Sequence, residues 1–228
     1  MKKIISASVM CVKNLLNLEH DIKELEDLGI DMLHLDAMDG HFVNNITFGP
    51  DIFNAIHRYT KLPCDYHLML SNPLPFIERL ELSEGDMVTI HAEINKDNFN
   101  EAFSYLVSLK KRGVKIGVAI NPETSIEGFS DYELSHTDVI LVMLINPGFA
   151  GQNIVNSTLD KVKQLKQWLN EKQYQNILIG VDGGVSVKRA NKLSKDGANI
   201  FVGGTSGLYK KDITLKKSLE ILRKNIKI

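Results

Sequence analysis

Val139-Ile140-Leu141-Val142 is a run of four apolar residues, three of them β-branched, with no polar position among them. Strand side chains alternate between two faces, so such a strand is buried on both. That is the mark of a parallel sheet covered by helices. Similar apolar runs recur at about 4–10, 31–36, 62–69, 86–91, 114–120, 137–144, 176–182 and 199–203. Between them lie amphipathic segments at about 17–28, 51–58, 73–82, 97–112, 124–134, 156–172, 186–196 and 213–224. Leu18, Ile22, Leu25 and Leu28 show helical spacing, as do Leu159, Val162, Leu165 and Leu169. Gly29 and Gly113 stand where a helix hands over to a strand. Eight strand–helix units with no linker between them predict an α/β fold, a single-domain (β/α)8 TIM barrel over residues 1–228. An open doubly wound sheet is the second choice. It is disfavoured because polar groups recur at the ends of many strands and not at one switch point.

The bulk properties fit one large soluble core. Of 228 residues, 43% are hydrophobic and 24% charged, and the formal charge is -1. That charge provides no strong field for nucleic acid or an anionic membrane surface. No apolar run approaches the ~20 residues of a membrane span. Met1-Lys2-Lys3-Ile4-Ile5-Ser6 reads as a first strand and not as a signal peptide, since it lacks a long apolar stretch and a cleavage site. Cys11 and Cys64 are the only cysteines and form no close pair, which suits a reducing cytoplasm.

In a barrel of this kind, polar residues at the C-terminal strand ends are the candidates for chemistry. They are Ser8, then His34 and Asp36 with Met38 beyond, then His67 and Met69, His91, Asn121, Met143 with Asn146, Asp182, and Gly203-Gly204-Thr205. His34 and Asp36 are two apart and therefore share a face. His34, Asp36, His67 and Asp182 bring two imidazoles and two carboxylates to one mouth. Mixed nitrogen and oxygen donors suit Zn²⁺, Mn²⁺, Fe²⁺ or Co²⁺. The bland alternative for each is a hydrogen-bonded polar group at a strand end. Asn146-Pro147-Gly148-Phe149-Ala150-Gly151-Gln152, Asp182-Gly183-Gly184 and Gly203-Gly204-Thr205-Ser206-Gly207 follow the last three strands, where this fold binds phosphate. Glycines there let backbone N–H groups approach the oxygens. Met38, Met69 and Met143 are either core filler or an apolar lining of the mouth. His41 and His91 read as structural or supporting groups.

At HLDAMDGHF (34–42), DYHLM (65–69), NPGFAGQ (146–152), VDGG (181–184) and GGTSG (203–207) the chain resembles the ribulose-phosphate 3-epimerase family, over nearly its full length. SVMC (8–11), NPET (121–124), GFAGQ (148–152) and GTSGL (204–208) are most similar to the D-allulose-6-phosphate 3-epimerase branch. The resemblance implies an isomerase that inverts C3 of a ketose phosphate through an enediolate. It implies one divalent metal ion per subunit, foremost Zn, with Fe(II), Mn or Co as others, on His34, Asp36, His67 and Asp182. Asp36 and Asp182 would be the catalytic acid and base. Substrate contacts would come from Ser8, His67, Asp182, the three methionines, Asn146, Gly148, Phe149, Ala150, Gly151, Gly183, Gly184, Gly203, Gly204 and Thr205. The branch likeness favours D-allulose 6-phosphate to D-fructose 6-phosphate, with D-ribulose 5-phosphate to D-xylulose 5-phosphate as the alternative. It further implies a cytoplasmic homo-oligomer, dimer to hexamer. Two remoter alternatives are a phosphate-binding barrel decarboxylase and a non-catalytic sugar-phosphate binder. The first would need a lysine beside the carboxylates, and none accompanies Asp36 or Asp182.

Overall fold

A computed structural model describes residues 3–226. Met1 and Lys2, counted above with the first strand, lie outside them. The strands are β1 (Ile4–Ser8), β2 (Met32–Met38), β3 (Cys64–Met69), β4 (Met87–His91), β5 (Lys115–Ile120), β6 (Val139–Met143), β7 (Leu178–Asp182) and β8 (Ile200–Gly203). Each pairs in parallel with the next, and β8 pairs with β1, closing the barrel. The helices are α1 (Leu18–Asp27), α2 (Pro50–Tyr59), α3 (Leu74–Ile77), α4 (Lys96–Leu109), α5 (Asp131–His136), α6 (Thr158–Glu171), α7 (Val187–Asp196) and α8 (Leu215–Ile226).

The period-two alternation sorts each strand. Outward residues such as Leu33, Leu35, Leu68, Ile90, Ile140 and Val181 belong to one large core with helix residues such as Phe53, Phe103, Leu106, Leu165 and Leu193. Inward residues form layers. Met32, Met87, Val139 and Ile200 make an apolar floor at the N-terminal end. Above it come buried polar groups, Ser6, His34, Asp65 and Thr89. A Cβ on Gly117 would stand 2.1 Å from Thr89 Oγ1, so a glycine in β5 is what lets Thr89 fit inside.

The differences from the expected elements have local causes. β1 ends at Ser8, and the chain turns at once into a short 3-10 segment, Val9–Cys11. The helix expected over 73–82 is one turn, because Asn54 draws the chain away. Its Nδ2 donates to the Arg79 carbonyl at 2.8 Å and its Oδ1 accepts from Glu81 N at 2.9 Å. The helix expected over 124–134 starts only at Asp131. A capping box sets that start: Glu133 N donates to Ser130 Oγ, and Ser130 N donates to the Glu133 carboxylate.

Asp86 holds one edge of the barrel together. Its buried carboxylate accepts from Cys64 N at 2.8 Å and Ser83 N at 2.7 Å, and lies 3.0 Å from His57 Nε2. Asp86→Ala would leave two backbone donors without a partner. The expected loss of stability is about 3 kcal/mol, read as a lower urea midpoint at unchanged slope. An unchanged midpoint would show that the carboxylate does not tie α2 and β3 to β4.

Candidate active site

The sheet register brings the chemistry together. Ser8 is the Cα partner of His34, Asp36 of His67, Met38 of Met69, and Met143 of Asp182. One donor atom from each of His34, Asp36, His67 and Asp182 lies within 4.8 Å of the others. Asp36 Oδ1 stands 3.1 Å from His34 Nε2 and 3.0 Å from His67 Nδ1. Asp182 Oδ2 stands 3.8 Å and 3.7 Å from the same two nitrogens. Each carboxylate thus turns one oxygen to the histidine pair. The other oxygens are held separately: Ser8 Oγ donates to Asp36 Oδ2 at 3.4 Å, and Gly183 N donates to Asp182 Oδ1 at 2.6 Å.

The electrostatics follow from burial and this crowding. Burial works against the charged form of Asp36, but His34 and His67 outweigh it and hold the carboxyl far below the usual carboxylate range. Burial raises Asp182, and the Asp36 charge adds to it against the pull of His34 and His67. Burial opposes a charge on His34 as well, yet Asp36 and Asp65 raise its pKa well above the ordinary histidine value.

The four residues fit a divalent cation. His34 Nδ1 lies 2.7 Å from the buried Asp65 carboxylate and donates its proton there, which leaves Nε2 as the ring atom facing the cluster. With no cation bound, Nε2 holds a proton for Asp36 Oδ1, in keeping with the raised pKa, and a divalent cation would take that proton's place. Two nitrogens with two carboxylates are a donor set for one.

Above this cluster opens a cavity of about 220 Å³. Ser8, Asp36, Asp182 and all three methionines line it, as do Gly148, Phe149, Ala150, Gly151, Gly183, Gly184, Gly204 and Thr205. Gly183 and Gly184 have φ of +89° and +60°, and a Cβ on either would strike Ile145 at 2.4 Å or Ile154 at 2.6 Å, so only glycine serves there. The chain after β8 makes a helical turn closed on Gly204 O by Leu208 N at 2.9 Å. No lysine or arginine lines the cavity among the described residues, so an anion there would be held by backbone N–H groups.

Four expected site residues lie off the wall. His34 and His67 are fully buried beneath it. Asn146 is exposed, with its carbonyl accepting from Gln152 Nε2 at 2.8 Å. Gly203 is buried behind Leu208. Conversely, Asn45 and Thr47 line the cavity from outside every motif quoted above, while Met10, Cys11 and Ser206 line it from within motifs whose named contacts were other residues. All five lie in segments that follow strand ends, which was the available signal. Asn45 Nδ2 donates to Gly148 O at 2.7 Å and so ties the loop after β2 to the loop after β6.

The profile of the ribulose-phosphate 3 epimerase family matches residues 4–209. The chain belongs to this family. Among its relatives, the ribulose-phosphate 3-epimerase of Bacillus subtilis is 37% identical over 206 residues, 90% of this chain and 92% of the relative. That of Chlamydia trachomatis is 35% identical over 221 residues, covering 96% and 90%. The chloroplastic ribulose-5-phosphate-3-epimerase of Arabidopsis thaliana is 35% identical, covering 92% and 73%. As a family member the chain is an isomerase-class epimerase, and the family implies a phosphorylated sugar as substrate. Among solved structures, a 3-hexulose-6-phosphate synthase superposes with a TM-score of 0.62 at 13% identity, covering 100% of both chains. A thiamine phosphate pyrophosphorylase from Pyrococcus furiosus also gives 0.62, at 12% identity, covering 98% and 95%. At those identities the likeness speaks for the barrel fold alone.

Proposed function

We propose that this epimerase interconverts D-ribulose 5-phosphate and D-xylulose 5-phosphate by inverting C3. The observation that carries the reaction type is the pair Asp36 and Asp182, brought from β2 and β7 to one cluster with His34 and His67. The names of the relatives support the pentulose over D-allulose 6-phosphate, which the motifs at 8–11, 121–124, 148–152 and 204–208 favour.

Removing the proton from C3 leaves an enediolate, and returning it on the other face inverts the centre. One base does not reach both faces, so two carboxylates are needed. Asp36 and Asp182 fill these roles, one ionised while the other carries the proton, and exchange roles in the reverse direction. Asp36 Oδ2 and Asp182 Oδ1 are the oxygens turned away from the histidine pair, and they are the proton carriers of this scheme. Ser8 steadies the first and the Gly183 amide the second. A divalent cation held by His34, Asp36, His67 and Asp182, with Zn²⁺ favoured by the donor set, would supply Lewis-acid stabilisation of the developing charge. Met38, Met69 and Met143 exclude water from the reacting end. The glycines after β7 and β8 hold the phosphate. The chain is proposed to act as one domain over residues 1–228, as a cytoplasmic homo-oligomer.

The test is kcat/KM for D-ribulose 5-phosphate and D-allulose 6-phosphate, side by side, on metal-reconstituted protein. The pentulose phosphate is expected to be preferred at least ~10-fold, on the order of the discrimination one extra carbon unit allows. Preference for the hexulose phosphate would overturn the substrate assignment. Turnover of neither would overturn the epimerase reading.

A further inference from the structure

Behind His67 runs a buried polar chain that the scheme above does not use. His67 Nε2 lies 2.8 Å from His91 Nε2, and both residues are 0% exposed. His91 Nδ1 lies 3.0 Å from Glu93 Oε2. The other oxygen of Glu93 accepts from Asn121 N at 2.7 Å and from Thr124 Oγ1. The carbonyls of Asn121 and Pro122 accept from Lys161 Nζ at 2.9 Å and 3.0 Å. Phe42 covers the His91 ring, with centroids 4.7 Å apart.

We propose that His91 and Glu93 are positioning residues that fix the tautomer of His67, leaving its Nδ1 bare toward Asp36 and Asp182, and that the loop 121–124 anchors them. The inference rests on the cation reading of the site above. Two ring nitrogens 2.8 Å apart need one proton between them. If His91 donated it and stayed neutral, its Nδ1 would be a bare lone pair against the Glu93 carboxylate, which a buried pair does not tolerate. A doubly protonated His91 would set a second positive charge against a ring that faces the cation, and like charges repel. The proton therefore sits on His67 Nε2, His91 Nε2 accepts it, and His91 Nδ1–H donates to Glu93. His67 then has no proton left for Nδ1, the atom 3.0 Å from Asp36. Glu93 keeps one oxygen free for His91 because Asn121 and Thr124 occupy the other. The Asn121-Pro122-Glu123-Thr124 motif thereby acquires a role, its donors facing Glu93 while Lys161 takes its carbonyls. His34 is served differently, by Asp65 directly, with Ser6 Oγ donating to the same Asp65 oxygen at 2.9 Å.

Groups that orient a metal-bound histidine typically set 10–100-fold in affinity. Zn²⁺ affinity of the full chain, measured by competition with a chromophoric chelator, is expected to fall by about that factor in His91→Leu. His91→Gln offers an amide oxygen near the place of Nε2 and is expected to recover most of the loss. Glu93→Gln keeps one oxygen for Asn121 and Thr124 but turns an NH2 toward His91 Nδ1–H, and is expected to weaken binding too. ¹⁵N NMR of the histidines should show His67 protonated at Nε2 in the wild type. A folded His91→Leu protein that binds Zn²⁺ as tightly as wild type would overturn the relay. If that variant does not fold, wild-type NMR showing His67 protonated at Nδ1, or undiminished Zn²⁺ binding in Glu93→Gln, overturns it instead. Wild-type protein that binds no Zn²⁺ overturns the cation reading and the relay with it.

Discussion

Asp182→Asn is expected to lower kcat by about 10³-fold or more, at the upper part of what a positioned acid or base contributes, since the same residue is a proposed ion ligand. The amide has the shape of the carboxylate, so its oxygen can still accept from Gly183 N, and the turn after β7 keeps its glycine geometry. The barrel should therefore remain folded by circular dichroism and by its unfolding midpoint. What disappears is a proton carrier on one face of C3 and one negative charge beside the histidine pair. A folded Asp182→Asn protein turning over at near-normal rate would remove Asp182 from the mechanism and leave the inversion without its second base.

Stripping the protein with a strong chelator is expected to take activity below about 1% of the reconstituted level, because the enediolate would lose its main electrostatic support. Re-addition of Zn²⁺, Mn²⁺ or Co²⁺ should restore it. The same ion should stabilise the fold, since it binds four buried or nearly buried donors that exist together only in the native state. At a hundredfold excess over Kd that linkage is about 2.7 kcal/mol, or roughly 5–10 °C in Tm for a chain of this size. Full activity in protein shown by elemental analysis to be metal-free would sink the ion assignment. A Tm unmoved by any of the three ions would say that these residues do not hold one.

The barrel was legible because the strands are apolar on both faces and the helices on one. Runs such as Val139–Val142 and the spacing of Leu159, Val162, Leu165 and Leu169 leave few other architectures. The element near 73–82 was misjudged in length because its backbone is claimed by a distant side chain, Asn54, and a pattern read along the chain does not contain such a partner. The late start near 124–134 is set locally by the Ser130–Glu133 capping box, which was there to be read. The cluster of His34, Asp36, His67 and Asp182 was legible from strand-end position and family motifs together. Asp65 and Glu93 were passed over, yet each sits two residues from a histidine on the same strand or just beyond it. Period two puts Asp65 on the face of His67, so a carboxylate inside the barrel was there to be read. The cavity positions of Asn45, Thr47 and Ser206 depend on loop paths that local sequence does not set.

The closure of β8 onto β1 has a consequence for when the molecule becomes competent. Ser8, His34, Asp36 and His67 belong to the first three strands, while Asp182 and the glycine loops belong to the last three. A chain arrested with only its leading half assembled owns three of the four donors, but neither the second proton carrier nor a phosphate end. One arrested with the trailing half owns the proposed anchor for the substrate and one proton carrier, but only one of the four donors. Neither half is a weak enzyme in its own right. The complete set exists only where Ile4 to Ala7 pair with Ile200 to Gly203 and the ring is shut.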